Sequence, residues 1–272
     1  MRYWIGVYRV NLKMAIAQML QYRFGILIWA IWGFVGPLIS LAVWSAASAA
    51  HGGTISNGSG ASFTQSDFTA YFLTFMIVGH LIMSWDAFEF AYRVRDGNLS
   101  PRLLKPLHPI HTDVASNIAF KLATSAMILP AWILLFVLLH PTPPHSLGSF
   151  LLGIPAVLLA GMLRYIWQYS LALIAFWTTR VEAINQLYFT LDGFLAGRIA
   201  PLALLPGWMG TAAIYSPFRS MGAFPVELLL GRVPPDQILP GFMLQIVWLV
   251  VGLGVFRLLW SRGIRQYSAV GA

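Results

Sequence analysis

The 272-residue chain contains no cysteine. Disulfides, thiolate nucleophiles and Cys-ligated zinc or iron–sulfur centres are therefore excluded, while the compartment stays open. Charge is also scarce. Asp, Glu, Lys and Arg make up 10% of the residues, against roughly 25% in an ordinary soluble domain. A chain so poor in charge cannot cover a water-facing surface. Catalytic motifs are missing too. No Gly-rich phosphate loop ends in Lys-Ser or Lys-Thr, no His-Glu-x-x-His helix offers zinc ligands, and no Gly-x-Ser-x-Gly elbow presents a nucleophile. A K⁺-type filter is absent, and no internal repeat marks a duplicated carrier. The histidines at 51, 80, 108, 111, 140 and 145 form no metal set. Pro109 keeps His108 and His111 off one regular helical face, and His80 reads as a hydrogen-bonded packing residue. The expectation is a chain with no catalytic residue, no metal and no cofactor of its own.

Hydrophobic residues supply 58% of the chain, and the net charge is +8. Lys and Arg fall in short groups beside apolar runs, as the positive-inside rule describes, which argues against a nucleic-acid partner. The reading is an all-α integral membrane protein with six transmembrane helices, surrounded by membrane lipid. Residues 1–23 carry Arg2, Arg9 and Lys13 on one side and Trp4, Tyr8, Leu12, Ile16 and Met19 on another, an interfacial amphipathic helix. Ser48, Ala49 and Ala50 resemble a signal-cleavage site, but the apolar run before them is longer than a signal core.

The expected spans are 24–47, with Pro37 as a kink, then 68–92, 113–140 and 150–177, with Arg180 marking an inner end. A fifth runs from near 182 to 197 or 201, and the sixth is 238–260. Residues 51–66 read as a flexible outer loop. Prolines divide 197–237 into pieces too short to cross a bilayer, so this stretch reads as short re-entrant or extracellular helices between spans five and six. Arg93, Arg95, Arg102 and Lys105, with Arg257, Arg262 and Arg265, place both termini in the cytoplasm.

Ionisable residues inside spans are default functional candidates. Arg164 and Asp192 lie at similar depth in consecutive spans and are expected to pair. A structural ion pair is favoured over a substrate contact. Asp86 and Glu89 are helix neighbours and mark an inner vestibule. The inner turn, 95–112, is the most informative polar segment. Ser100 is placed to cap a short helix with Pro101 at its first position. Leu103, Leu104 and Leu107 supply an apolar face with Arg102 and Lys105 beside it. Such a piece is too short to be stable alone and needs a docking surface, either lipid headgroups or a soluble partner.

At this turn the chain resembles the permease subunit of an ABC type-2 exporter, in the bacterial group with a separately encoded ATPase. The resemblance rests on the interfacial helix, on Gly97-x-Leu99 followed by Leu103-Leu104-Lys105-Pro106, on the Pro-broken region with Pro201, Leu205-Pro206 and Ser216-Pro217-Phe218, and on the tail Tyr267-Ser268-Ala269-Val270-Gly271. It implies a single permease domain over 1–272 in the bacterial inner membrane. Gly97, Leu99, Arg102, Leu103, Leu104, Lys105, Pro106 and Leu107 would form the ATPase-coupling turn. ATP and Mg would be bound by the partner ATPase subunits, and a second permease, the same chain or a homologous one, would complete the pathway. The alternatives are a membrane-embedded lipid-modifying enzyme, with Asp86, Glu89 and Arg93 as its candidates, or a non-transporting structural subunit.

Overall fold

The computed structural model describes residues 2–21, 23–57, 61–178 and 181–267. Arg180 and tail residues 268–271 lie outside the described residues, as do the side chains of Arg2 and Arg23. The first helix, α1 (Arg2–Gln21), packs along α6 (Pro109–Leu139). Tyr8, Leu12, Ile16 and Met19 are half-buried there while Arg9 and Lys13 stay exposed. The Tyr8 hydroxyl meets His111 Nδ1 at 2.7 Å, which ties the amphipathic helix to the start of α6. The next helix, α2 (Arg23–Ala50), continues through Pro37. It lays Leu38, Leu41 and Trp44 against α3 (Gln65–Ile82), and it exposes Trp32, Ile39 and Val43.

Between α2 and α3 the expected flexible loop is a β-hairpin. Strands β1 (Thr54–Ser56) and β2 (Ser62–Thr64) pair antiparallel, with Ile55 opposite Phe63. The alternation Thr-Ile-Ser and Ser-Phe-Thr is the cause: Phe63 points inward and stacks on Phe68 at 5.4 Å. Thr64 then starts α3 through a capping box with Asp67.

The expected second span is one continuous helix, but it is broken. After α3, residues 83–85 are non-helical, and α4 (Asp86–Arg95) follows. There is no Gly or Pro at the break. Ser84 donates to the Asp86 carboxylate at 2.8 Å, and such local side-chain bonds compete with the helical ladder. Together the two helices form the central segment, Gln65–Arg95, whose most apolar stretch is 67% buried, against 28% or less in the other four long apolar segments.

A short helix α5 (Ser100–Leu103) leads to α6. Next come α7 (Leu147–Ala172), prolonged by a 3-10 turn at Leu173–Phe176, and α8 (Val181–Leu195). The Pro-rich stretch folds into α9 (Gly207–Tyr215), α10 (Pro217–Met221) and α11 (Ala223–Leu229) before the long α12 (Pro235–Gln266). Among the described residues, five segments are long and apolar enough to cross a membrane: Ile31–Ala50, Gln65–Arg95, Pro109–Leu139, Leu147–Phe176 and Pro235–Gln266. The expected fifth of six spans, α8, is not among them. Its 15 residues extend about 22 Å at ~1.5 Å per residue, short of a hydrocarbon core of about 30 Å. The helix stops where Gly197 takes φ +80°, a conformation that favours glycine.

Buried α11 wedges against α7 and α3. Two glycines make room for it. A Cβ on Gly153 would run into Leu229, and one on Gly241 would run into the Phe224 ring. Small residues permit this close approach. Gly241→Ala is therefore expected to lower stability by about 1–3 kcal/mol through overpacking. Gly254, further along the same helix, has open space around it, so Gly254→Ala should not lower stability. Thermal unfolding of the two variants in detergent checks the contrast.

Candidate functional site

Gly97 reverses the chain after α4 with φ +72°. The Leu99 N–H then donates to the Arg93 carbonyl at 3.2 Å. Leu99 is fully buried in a cluster with Phe90, Tyr169 and Leu173, and Leu103 packs on the same cluster from its edge. The expectation that Leu103, Leu104 and Leu107 form one uncovered face is therefore corrected. Leu103 and Leu107 are half-buried, while Leu104 is 88% exposed beside exposed Lys105 and Pro106. The fold's own core thus seals Leu99, covers Leu103 and Leu107 in part and leaves Leu104 outside. Ser100 does not cap the helix either. It is the first residue of α5, and its hydroxyl meets the Tyr267 hydroxyl at 2.9 Å.

Arg102 turns inward. It donates to Asp113 Oδ1 at 2.7 Å, Arg93 donates to the same oxygen at 2.8 Å, and the Tyr169 hydroxyl donates to Oδ2 at 3.1 Å. Asp113 is buried. Sequence reasoning used Asp113 only as a boundary marker. The available signal was a lone carboxylate just beyond four basic residues.

Asp86 and Glu89 do not share a vestibule. Asp86 is buried behind its Ser84 bond. The Glu89 side chain is exposed, forms an ion pair with Arg93 at 2.5 Å, and borders a cavity of ≈ 490 Å³ with Trp85, Phe88 and Phe120. One residue faces the core and its helix neighbour faces out. His80 is buried, meets Thr124 Oγ1 at 3.0 Å and packs against Trp132.

Arg164 and Asp192 come together as a bidentate pair, with nitrogen–oxygen distances of 2.8 and 3.0 Å. They are 28 residues apart, and the bend at Trp177–Thr178 lies midway, so antiparallel packing of α7 and α8 brings them level. A third member joins them. After α8 the turn at Gly197 returns Arg198, whose Nε donates to Asp192 at 2.6 Å. The two arginines and one carboxylate carry a net positive charge. Gln168, one turn from Arg164, and Asn185, on the buried face of α8, are also buried. Each of these two helices thus buries polar side chains, among them Arg164 and Gln168 on α7 and Asn185 and Asp192 on α8.

The end of the molecule with the hairpin and α9–α11 contains a cavity of ≈ 710 Å³ lined in part by Asn57, Asp67, His145, Arg219 and Arg232. Its arginines are neutralised in place: Arg232 pairs with Asp67 at 2.5 Å and Arg219 with Glu227 at 3.1 Å.

The family model for ABC-2 family transporter proteins matches residues 58–271. The chain belongs to the ABC-2 transporter family. No curated protein matches it, and no solved structure does. The match begins inside the hairpin, so α1 and α2 lie before it. This multi-pass protein is a membrane permease of an ABC transporter, a class that works with an ATPase component.

Proposed function

We propose that this ABC-2 permease is the membrane subunit of an exporter whose ATP- and Mg-binding ATPase is a separate chain, docked on the turn from 95 to 112. A second permease, identical or homologous, completes the pathway. The observation that carries this reading is Leu104, an 88% exposed apolar side chain at the tip of a turn otherwise fastened to the bundle. An exposed leucine held rigidly among basic residues suits a pocket on a soluble partner. Closure of the ATPase on ATP would push the turn and α1 together.

Charge supports the orientation. The three arginines between α8 and α12 are each paired with a carboxylate. Arg257, Arg262 and Arg265 at the other end of α12, with Lys105, have no ion-pair partner among the described residues. The turn and both termini are cytoplasmic on this reading, in a bacterial inner membrane. Helix α8 and the residues after it make a short fifth crossing, which brings the total to six, and α9–α11 form a re-entrant outer cap. A lipid-modifying active site is disfavoured because Asp86 and Glu89 face different surroundings and Arg93 is held by Asp113 and Glu89.

The test is purification of the tagged full chain from native membranes in mild detergent, with mass spectrometry of what accompanies it. A Walker-motif ATPase in stoichiometric amount is expected. A permease that is intact, transport-competent and free of any ATPase overturns the proposal.

A further inference from the structure

We propose that Asp113 is the positioning residue through which movement of the turn reaches the membrane helices. This rests on the ATPase-coupling reading of the turn. One buried carboxylate gathers donors from three elements: Arg102 of α5, Arg93 of α4 and Tyr169 of α7, while standing in the second turn of α6. The turn, α4, α6 and α7 are thus joined through this one group.

The other links between turn and bundle are weaker. Arg95 pairs with Glu182 of α8 at 2.9 Å, but both side chains are exposed, and water and salt leave such a surface pair little strength. Leu99 and Leu103 make apolar contacts, which resist separation but tolerate sliding because they have no preferred direction. Ser100 and Tyr267 share one hydrogen bond between neutral hydroxyls. Charge-assisted bonds are shorter, roughly twice as strong and directional, and burial protects these from screening by salt. Arg102 cannot shift against α6 without leaving Asp113 partly unpaired, which a buried carboxylate resists. Displacement of the turn is therefore passed to α4, α6 and α7 together. The break at residues 83–85 separates α4 from α3, and the 3-10 turn at Leu173–Phe176 ends α7. Both lie next to the elements Asp113 joins, so the joined elements form one block at the cytoplasmic end.

The charge arithmetic identifies the severable link. Arg93 has Glu89 as well as Asp113, whereas Arg102 has only Asp113 among the described residues. Arg102→Gln removes the link to the turn and leaves a paired Arg93 inside.

The natural chain lacks cysteine, so spin labels can be placed with Pro101→Cys, exposed on α5 beside Arg102 and clear of Leu104, and Met162→Cys on the exposed face of α7. The distance between them is measured by pulsed electron resonance in nanodiscs, first for the permease alone. A single narrow distance is expected with Asp113 present and a broadened one with Asp113→Asn. Arg102→Gln should reproduce the broadening even if Asp113→Asn fails to fold, and Asp113→Glu should restore much of the narrow distance. An unchanged narrow distance in both Asp113→Asn and Arg102→Gln overturns the proposal, whether or not an ATPase binds. In the complex with its ATPase, ATP should leave the distance unchanged while Asp113 is present, because turn and α7 move together, and should change it in Arg102→Gln. If ATP changes the distance equally with and without the Arg102 link, transmission does not run through Asp113. An ATPase that never binds the unsubstituted turn overturns the coupling reading itself, a failure the measurement on the permease alone keeps distinct.

Discussion

Asp192→Ala is expected to destabilise the protein more than any other single substitution in the bundle, by about 3–5 kcal/mol. The carboxylate is buried and holds Arg164 by two bonds and Arg198 by one. Without it, Arg164 remains almost fully buried with no counter-charge. Asp192→Asn keeps an acceptor oxygen but loses the charge and should fall close behind. Arg198→Gln should be much milder. The Arg198 side chain is 31% exposed, and its loss leaves Arg164 and Asp192 as a neutral, bidentate pair. The order Asp192→Ala, Asp192→Asn, Arg198→Gln in unfolding midpoint and membrane yield is the measurement. An Asp192→Ala protein that folds and inserts normally but loses transport would instead place this cluster on the cargo pathway.

Leu104→Asp should leave the permease folded and abolish its ATPase complex. The side chain is 88% exposed, so a carboxylate there costs the isolated chain almost nothing. In a partner's pocket the same change forfeits about 1.5–3 kcal/mol of leucine burial and adds the desolvation of an unpaired charge. At about 1.4 kcal/mol per decade, affinity should fall by roughly 100-fold or more. Leu103→Asp should behave differently. Leu103 packs against the cluster of Phe90, Tyr169 and Leu173, so its substitution should lower the stability of the permease itself. Unfolding midpoints of the isolated permease, set beside ATPase recovery, separate the two. Equal recovery with Leu104→Asp and the unsubstituted chain would remove Leu104 from the interface.

The membrane class, the amphipathic first helix and the short helices between 197 and 237 follow from local composition, and local composition is legible in a sequence. The Arg164–Asp192 pairing was legible because intramembrane charges are rare and the two residues sit symmetrically about one bend. Arg198 was not, since its place depends on the left-handed Gly197 turning the chain back. The break at residues 83–85 carries no Gly or Pro and arises from a Ser84–Asp86 bond that competes with the helix. The hairpin at 54–64 was hidden because a period of two spread over six paired residues disappears among Gly, Ser and Thr. The leucines of the turn stand out in the sequence, but spacing does not tell a leucine covered by its own core from one left outside. Leu99 and Leu103 went to the core, and Leu104 did not. Asp113 was missed for a similar reason: its three donors come from residues 93, 102 and 169, and only the fold brings them together.

The most direct test of an ATPase docked on the cytoplasmic turn is the reactivity of Leu104→Cys toward a membrane-impermeant maleimide, made possible by a chain without cysteine. The labelling rate is compared in intact cells, in inside-out vesicles carrying the ATPase, and in the same vesicles after the ATPase is stripped. The account requires no labelling from outside the cell, slow labelling in loaded vesicles and fast labelling after stripping. Labelling in intact cells, or equal rates in loaded and stripped vesicles, would contradict it.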